Sequence, residues 1–246
     1  MYSILLSVFA CLSTCYCLVA KAENRDHCLL LKQWLESSSV AVELSKKGFH
    51  REVITTVELK PDVLSDVRVL LVHRWPRGVY VDPYQLASLS DQHDWKILLD
   101  SAIDLELPAH KTSGFVTYVY PSHIGPTPRP LKVTIPVHGR YHEPSFVGKT
   151  FTSVDVESPE LLLWTEKCTQ LSSLQPHAAV DAPCTVSNSS TCQWVKIQHQ
   201  QELSPLSFQF PVGDASLVAP VCGGTLLVTM SCCAALSRYM WKHRII

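Results

Sequence analysis

The sequence contains few glycines and none of the compact motifs that mark an enzyme active site. Only 9 glycines occur in 246 residues, and there is no G-x-S-x-G elbow, no H-E-x-x-H pair and no phosphate-binding glycine loop. There is no C-x-x-C pair either, which argues against a cysteine-based zinc site. The sequence therefore predicts a protein that is not an enzyme, with no catalytic residues, no cofactor and no metal.

A basic surface is also missing. The chain has 21 Lys and Arg and 22 Asp and Glu. Four of the basic residues lie in the two terminal segments, namely Lys21, Arg238, Lys242 and Arg244, so residues 23–214 carry 17 basic side chains against all 22 acidic ones. Because nucleic-acid binding needs clustered positive charge, this balance excludes nucleic acid as an expected partner.

A long uncharged run is present near the C-terminus. No residue from Ala215 to Ser237 is charged, and as a helix this run would be about 34 Å long, enough to cross a hydrocarbon core of about 30 Å. Arg238, Lys242 and Arg244 follow directly, and such basic flanks stay on the cytosolic side. We predict a transmembrane helix at 215–237 and a short basic cytosolic tail at 238–246.

The N-terminus predicts export. Residues 1–20 are uncharged and largely apolar, and Ala20-Lys21-Ala22 fits a signal-peptidase site. We expect a signal peptide at 1–22, with an uncleaved anchor helix as the alternative. Residues 23–214 would then form a lumenal domain on a single-pass type I membrane protein.

The exported segment retains four cysteines, as suits an oxidising compartment. Cys28, Cys168, Cys184 and Cys192 allow three different disulfide pairings. Cys184 and Cys192 bracket a polar stretch that fits a disulfide-closed hairpin loop, and the only N-glycosylation sequon, at Asn188, falls in the same loop.

The pattern of the exported segment is mainly β. Runs rich in β-branched and aromatic residues predict strands, and most of the 16 prolines lie between them. The predicted strands cover 51–59, 66–73, 78–81, 103–107, 115–120, 131–135, 150–156, 160–164, 192–198 and 207–210. Two short helices are predicted, at 28–36 and around 84–89, and 170–183 is predicted as a loop. We expect an antiparallel β-sandwich, either as one unit or as two packed β modules that meet at 121–130.

Two segments concentrate Arg, His and aromatic side chains, which protein contact surfaces favour. They run over 73–84 and 138–143 and supply nine candidates for partner contact: Arg74, Trp75, Arg77, Tyr80, His138, Arg140, Tyr141, His142 and Glu143. Packing within the fold is the alternative for both. His138, His142 and Glu143 offer a zinc set, but their spacing suits a helix, which Gly139 and Pro144 disfavour.

The same two segments, HRWPRGVYVDPYQL at 73–86 and TIPVHGRYHEPS at 134–145, closely resemble the phosphatidylinositol-glycan biosynthesis class X family. The resemblance covers most of the exported segment and the layout of signal, lumenal domain, single span and short tail. It implies a non-catalytic subunit in the endoplasmic-reticulum membrane. It also implies a partner, the multi-span class M protein, which adds the first mannose in GPI-anchor biosynthesis as the catalytic subunit of GPI mannosyltransferase I.

Two other functions remain open from the sequence. A single β-sandwich on one span also fits a cell-surface receptor or adhesion protein, although the Cys…Trp…Cys spacing of immunoglobulin domains is missing. A lumenal metal-dependent hydrolase would need His138, His142 and Glu143 to meet around a metal ion.

Overall fold

The computed structural model describes residues 28–29, 31–59, 67–121, 130–168, 174, 178–187, 190–198 and 205–244. The predicted signal peptide at 1–22 and the sequon at Asn188 lie outside these residues. The described chain is mainly β, as predicted, with antiparallel strand pairing throughout its three sheets. Its strands are β1 Ser39–Ser45, β2 His50–Glu58, β3 Arg68–Trp75, β4 Val79–Tyr80, β5 Trp95–Leu99, β6 Phe115–Pro121, β7 Leu131–Gly139, β8 Phe151–Val156, β9 Glu160–Trp164, β10 Ala178–Pro183, β11 Thr191–Lys196 and β12 Leu206–Pro211. Its α-helices are α1 at 28–37, of which residue 30 is not described, α2 Pro83–Gln92 and α3 Val218–Lys242.

Two large sheets enclose one hydrophobic core. The first sheet has the order β1-β2-β7-β4, and the second has the order β10-β11-β9-β3-β6-β5. Alternate residues of β2 point inward, so that Val53, Thr55 and Val57 are buried. They meet the inward face of β3, where Leu71 and His73 are also buried. Strands with one buried face explain the alternating pattern that the sequence shows.

The third sheet pairs β8 with β12 and closes one side of this core. Phe208 and Phe210 of β12 are fully buried in the core cluster shared with both large sheets. Arg51 of β2 fixes the attachment, because its guanidinium donates a hydrogen bond of 2.9 Å to the carbonyl of Gln209. The same guanidinium lies 5.3 Å from the centre of the Phe208 ring.

The β10–β11 hairpin bends over the outer face of the second sheet. Its strand β11 pairs with β9 only through Val195 and Lys196. Beyond that point the hairpin reaches Tyr120 of β6, whose hydroxyl donates a hydrogen bond of 2.8 Å to the carbonyl of Pro183. Trp194 is thereby completely buried in a second, smaller cluster that also contains Leu70, Val72, Leu162 and Ala182. The hairpin supplies the cover that this outer face would otherwise lack.

Two disulfides form among the described residues of the segment 23–214. Cys184 pairs with Cys192 across the turn of the β10–β11 hairpin, as its spacing suggested. Cys28 pairs with Cys168, which ties α1 to the segment after β9 across 140 residues of sequence. The apolar face of α1 packs into the main core through Leu31, Trp34 and Leu35.

Two expectations about secondary structure were wrong, and two strands were not predicted. Residues 103–107 form no strand, because the Asp104 carboxylate accepts hydrogen bonds from the backbone N–H groups of Glu106 and Leu107 and turns the chain. The predicted loop at 170–183 contains β10. Strands β1 and β5 were not predicted at all. Each is the edge strand of its sheet.

The C-terminal helix makes no buried contact with the β domain. A capped 3-10 turn at Ala215–Leu217 leads into α3, and together they form a helix at Ala215–Lys242 that is long and apolar enough to cross a membrane. The hydroxyls of Thr225, Thr229 and Ser231 each donate to the carbonyl four residues earlier. A helix that satisfies its own polar groups in this way suits a hydrocarbon environment.

Candidate functional site

The two segments singled out by sequence, 73–86 and 134–145, meet at one end of the sandwich. The short strand β4 pairs antiparallel with the end of β7, which places Val79 opposite Gly139 and Tyr80 opposite His138. The backbone N–H of Arg140 also donates to the carbonyl of Gly78 at 2.9 Å. We call this meeting of residues 73–86 with 134–145 the motif junction.

The first part of the junction belongs to the core. His73 and Trp75 lie on the inward face of β3 and are only 1% and 2% exposed. The indole N–H of Trp75 donates a hydrogen bond of 3.0 Å to the hydroxyl of Thr117. Trp75 was a candidate for partner contact, and the structure places it where no partner of the folded domain can touch it. Its role is to hold β3 and β6 together.

The turn after β3 brings the backbone close to β8. A Cβ atom on Gly78 would lie 2.6 Å from a methyl group of Val154, so only glycine fits without a shift. Arg77, in the same turn, is exposed. Val79 and Val81 are buried while Tyr80 is partly exposed, which is the alternation predicted for the resumed strand.

Tyr80, His138 and Arg140 form a stack on the edge of β7. The Tyr80 and His138 rings lie 5.0 Å apart at 21°, and the guanidinium of Arg140 lies 4.9 Å from the Tyr80 ring centre. Arg140 also donates a hydrogen bond of 2.6 Å to the carbonyl of Leu107. The residue is only 4% exposed, and this burial lowers the pKa of its side chain. Arg140, one of the contact candidates, therefore packs within the fold and leaves little of its surface for a partner.

His138 is held by two further side chains. Its Nδ1 lies 2.7 Å from Nδ1 of His50, and its Nε2 lies 2.9 Å from the amide oxygen of Gln85. Gln85 is placed by α2, which begins after Asp82 because the Asp82 carboxylate accepts from the N–H groups of Tyr84 and Gln85. Burial, together with the neighbouring His50, lowers the pKa of His138, so its neutral form is favoured.

The end of the second segment is more exposed. The His142 ring packs on Phe210, with 6.2 Å between ring centres, and burial together with Arg77 lowers its pKa. Tyr141 is 76% exposed and touches Phe49 at the edge of the first sheet. Glu143 is also exposed, and its carboxylate lies 3.7 Å from Nε2 of His110. These side chains are accessible to a partner.

Arg74 lies apart from the others. It projects from the outer face of β3, where it forms an ion pair of 3.6 Å with Glu160, which Lys196 also contacts at 2.8 Å. The sequence grouped Arg74 with Trp75 and Arg77, but neighbouring residues of a strand point to opposite faces.

The hypothetical zinc set is not assembled. His138 is engaged with His50 and Gln85, His142 packs on Phe210, and Glu143 pairs with His110. Among the described residues no three His, Cys, Asp or Glu side chains are grouped as ligands of a metal ion.

A cleft of about 440 Å³ opens beside the junction. Arg77, His142 and Glu143 line one side of it, and Lys149 and Phe151 line another. Neither Lys149 nor Phe151 was predicted as a site residue. Phe146 and Val147, which precede them in sequence, are also exposed. A signal was available, since Ser145 and Gly148 bracket two apolar residues as the ends of a surface loop would.

The described residues thus define a class of protein: an antiparallel β-sandwich that carries one helix able to cross a membrane. Most Arg, His and aromatic side chains of the two motifs pack within this sandwich, and only some of them are exposed. Comparison with known proteins gives the family. The PIG-X / PBN1 family model matches residues 46–241, and the chain belongs to this family.

Two relatives extend the match over most of the chain. The human protein named "GPI alpha-1,4-mannosyltransferase I, stabilizing subunit" is 30% identical over 205 residues, which cover 82% of this chain and 79% of that protein. The mouse protein of the same name is 29% identical over 204 residues, covering 82% of this chain and 80% of that protein. Both names describe an accessory subunit and not a catalytic one.

Proposed function

We propose that this chain is the stabilising, non-catalytic subunit of GPI mannosyltransferase I in the endoplasmic-reticulum membrane. In this role it binds the multi-span catalytic subunit, the class M protein, with its β domain in the lumen and α3 in the bilayer. The observation that carries the proposal is the 30% identity to the human stabilizing subunit across 82% of this chain. The family model matches residues 46–241, a range that takes in most of the β domain and most of the candidate span.

The motif junction supports an accessory role. Its charged and aromatic groups are engaged in packing, as for Arg140 on Tyr80 and His138 on Gln85. Exposed residues of the junction that a partner can reach include Arg77, Tyr84, Tyr141 and Glu143. Arg and Tyr are side chains that protein interfaces favour.

The physical mechanism is stabilisation by mass action. A subunit that binds only the folded form of its partner lowers the free energy of that form, by about 2.7 kcal/mol when its concentration is 100 times the dissociation constant. Loss of this chain should therefore reduce the abundance of the catalytic subunit and leave the rate per surviving enzyme molecule unchanged.

The test begins with the tagged full chain, recovered from membranes in mild detergent. Near-equal recovery of the multi-span mannosyltransferase supports the proposal. Recovery of cell-surface proteins in its place contradicts the proposal and favours a receptor. Normal abundance of the catalytic subunit in cells that lack this chain would contradict the stabilising mechanism.

Matched variants then locate the contact. We expect Arg77→Ala and Tyr141→Ala to reduce recovery of the partner without reducing the amount of folded chain. Arg74→Ala is the control, since Arg74 is an exposed arginine on a different face. Equal loss with Arg74→Ala and Arg77→Ala would mean that the face that carries Arg77 is not the contact surface.

A further inference from the structure

A short apolar loop stands out from the β domain next to the start of the C-terminal helix. Phe146 is 93% exposed and Val147 is 79% exposed. Phe151, at the start of β8, is also largely exposed. Large apolar side chains gathered on a surface mark a site of interaction with a protein or with lipid.

The loop is fixed to the segment that leads into α3. Ser145 and Asp214 form a parallel β-bridge. The N–H of Ser145 donates to the carbonyl of Gly213 at 2.8 Å, and the N–H of Ala215 donates to the carbonyl of Ser145 at 3.0 Å. Ala215 is the first residue of the helix that is long and apolar enough to cross a membrane.

The shape of the loop keeps its two apolar side chains outward. The Ser145 hydroxyl accepts hydrogen bonds from the N–H groups of Val147 and Lys149, at 3.3 and 3.0 Å. Gly148 has a φ of 71°, a conformation that glycine adopts without strain, and this closes the turn. On the far side, the N–H of Val212 donates to the carbonyl of Thr150 at 2.9 Å. The loop is therefore anchored at both ends.

This anchoring sets the height of the loop relative to a bilayer. Ser145 is paired with Asp214, the residue just before the helix. Consecutive Cα atoms are about 3.8 Å apart, so Phe146 also lies close to the start of the helix. The headgroup region occupies roughly 5–7 Å on each side of the hydrocarbon core. A loop bound beside the entry point of a spanning helix falls within that layer.

We propose that Phe146 and Val147 insert into the lipid surface of the leaflet that α3 enters, with Lys149 at the level of the lipid phosphates. Aromatic side chains favour this interfacial layer, and a lysine can extend its ammonium group toward the phosphates. The loop and the span together give the β domain two attachments to one membrane. A domain held at two points can tilt less than one held by the span alone, which keeps the cleft near the membrane surface. The proposal goes beyond the subunit role and depends only on α3 crossing a membrane.

Site-directed spin labelling of the full chain in phosphatidylcholine nanodiscs tests this insertion. Cys222, Cys232 and Cys233 of the span are first replaced by alanine, and labels are then introduced through Phe146→Cys, Val147→Cys or Lys132→Cys. Lys132 is the control, because it is exposed at the opposite end of β7 from the junction. Accessibility to oxygen, which partitions into lipid, is compared with accessibility to a polar nickel chelate.

We expect the ratio of oxygen to nickel accessibility at positions 146 and 147 to exceed that at 132 by about tenfold, since the chelate is excluded from the bilayer. Labels at 146 and 147 that are as open to nickel as the label at 132 overturn the proposal. Co-reconstitution with the catalytic subunit tests the alternative that the loop contacts this protein and not lipid. Labels that become shielded only in its presence would mean that the loop is a protein contact and not a lipid contact.

Discussion

Thr55 and His73 join the two large sheets through a hydrogen bond in the core. The Thr55 hydroxyl lies 3.0 Å from Nε2 of His73, and both side chains are buried. His73 also stacks on Trp75, with 5.6 Å between ring centres and nearly parallel planes. Burial lowers the pKa of His73 from 6.5 to about 3, so the folded protein holds this imidazole neutral.

The first prediction is that acid destabilises the domain through His73. Because the pKa of His73 is about 3 in the folded protein and 6.5 in the unfolded chain, the stabilisation is complete above pH 6.5 and is lost as the pH falls toward 3. At pH 5 the loss should be about 2 kcal/mol. Thermal unfolding of the detergent-solubilised chain between pH 7.5 and pH 5 measures this loss.

His73→Gln is the control for this prediction. Glutamine does not titrate and retains a group that can hydrogen-bond to Thr55, so the pH dependence should become shallower. Some dependence should remain, since the pKa values of His138 and His142 are also lowered by burial. If the stability of His73→Gln depended on pH as steeply as that of the unsubstituted protein, His73 would not be the source of the acid sensitivity.

The second prediction ranks the two disulfides. Cys184 and Cys192 are 8 residues apart, whereas Cys28 and Cys168 are 140 apart. In the chain-entropy account, the longer loop stabilises by about 5 kcal/mol and the shorter one by about 2.6 kcal/mol. Replacing each pair by alanine should therefore lower the free energy of unfolding more for Cys28 and Cys168. Urea unfolding of the two double variants measures the difference, and a reversed order would refute the entropic ranking.

Local patterns predicted much of the strand content. Runs rich in β-branched and other apolar residues located β2, β3, β6 and β9, since each of these strands buries one face or both. The stretch at 103–107 alternates as a strand would but turns, because the Asp104 carboxylate accepts hydrogen bonds from two backbone N–H groups. Periodicity does not encode that competition between side chain and backbone.

The motif junction was predicted as two contact surfaces and is largely one packing arrangement. Its contacts join residues far apart in sequence, such as Tyr80 with His138, and no single-sequence pattern reveals which distant strands pair. The loop at Phe146 was not predicted for the same reason, because its contacts also join residues that are distant in sequence. Its importance comes from the bridge between Ser145 and Asp214, which lie 69 positions apart by their residue numbers.

The third prediction concerns Arg140. Lysine lacks the planar guanidinium, so Arg140→Lys cannot both stack on Tyr80 and donate in the same geometry to the Leu107 carbonyl. We expect a loss of about 1–3 kcal/mol in the free energy of unfolding. Arg77→Lys is the matched control, since Arg77 is exposed and should change stability by less than about 0.5 kcal/mol. Equal effects of the two substitutions would mean that burial of Arg140 does not stabilise the fold.

The fourth prediction tests how the second motif packs on β12. A Cβ atom on Gly139 would overlap the ring of Phe210, which is buried in the core. Gly139→Ala should therefore cost about 1–3 kcal/mol, as overpacking of a dense core does. Phe210→Leu removes ring atoms at that point and destabilises by itself, but it should relieve part of the overlap. In a double-mutant cycle the two costs should then sum to more than the cost of the double variant, with a coupling of about 0.5–3 kcal/mol. Strictly additive costs would show that the Phe210 ring does not limit the space at position 139.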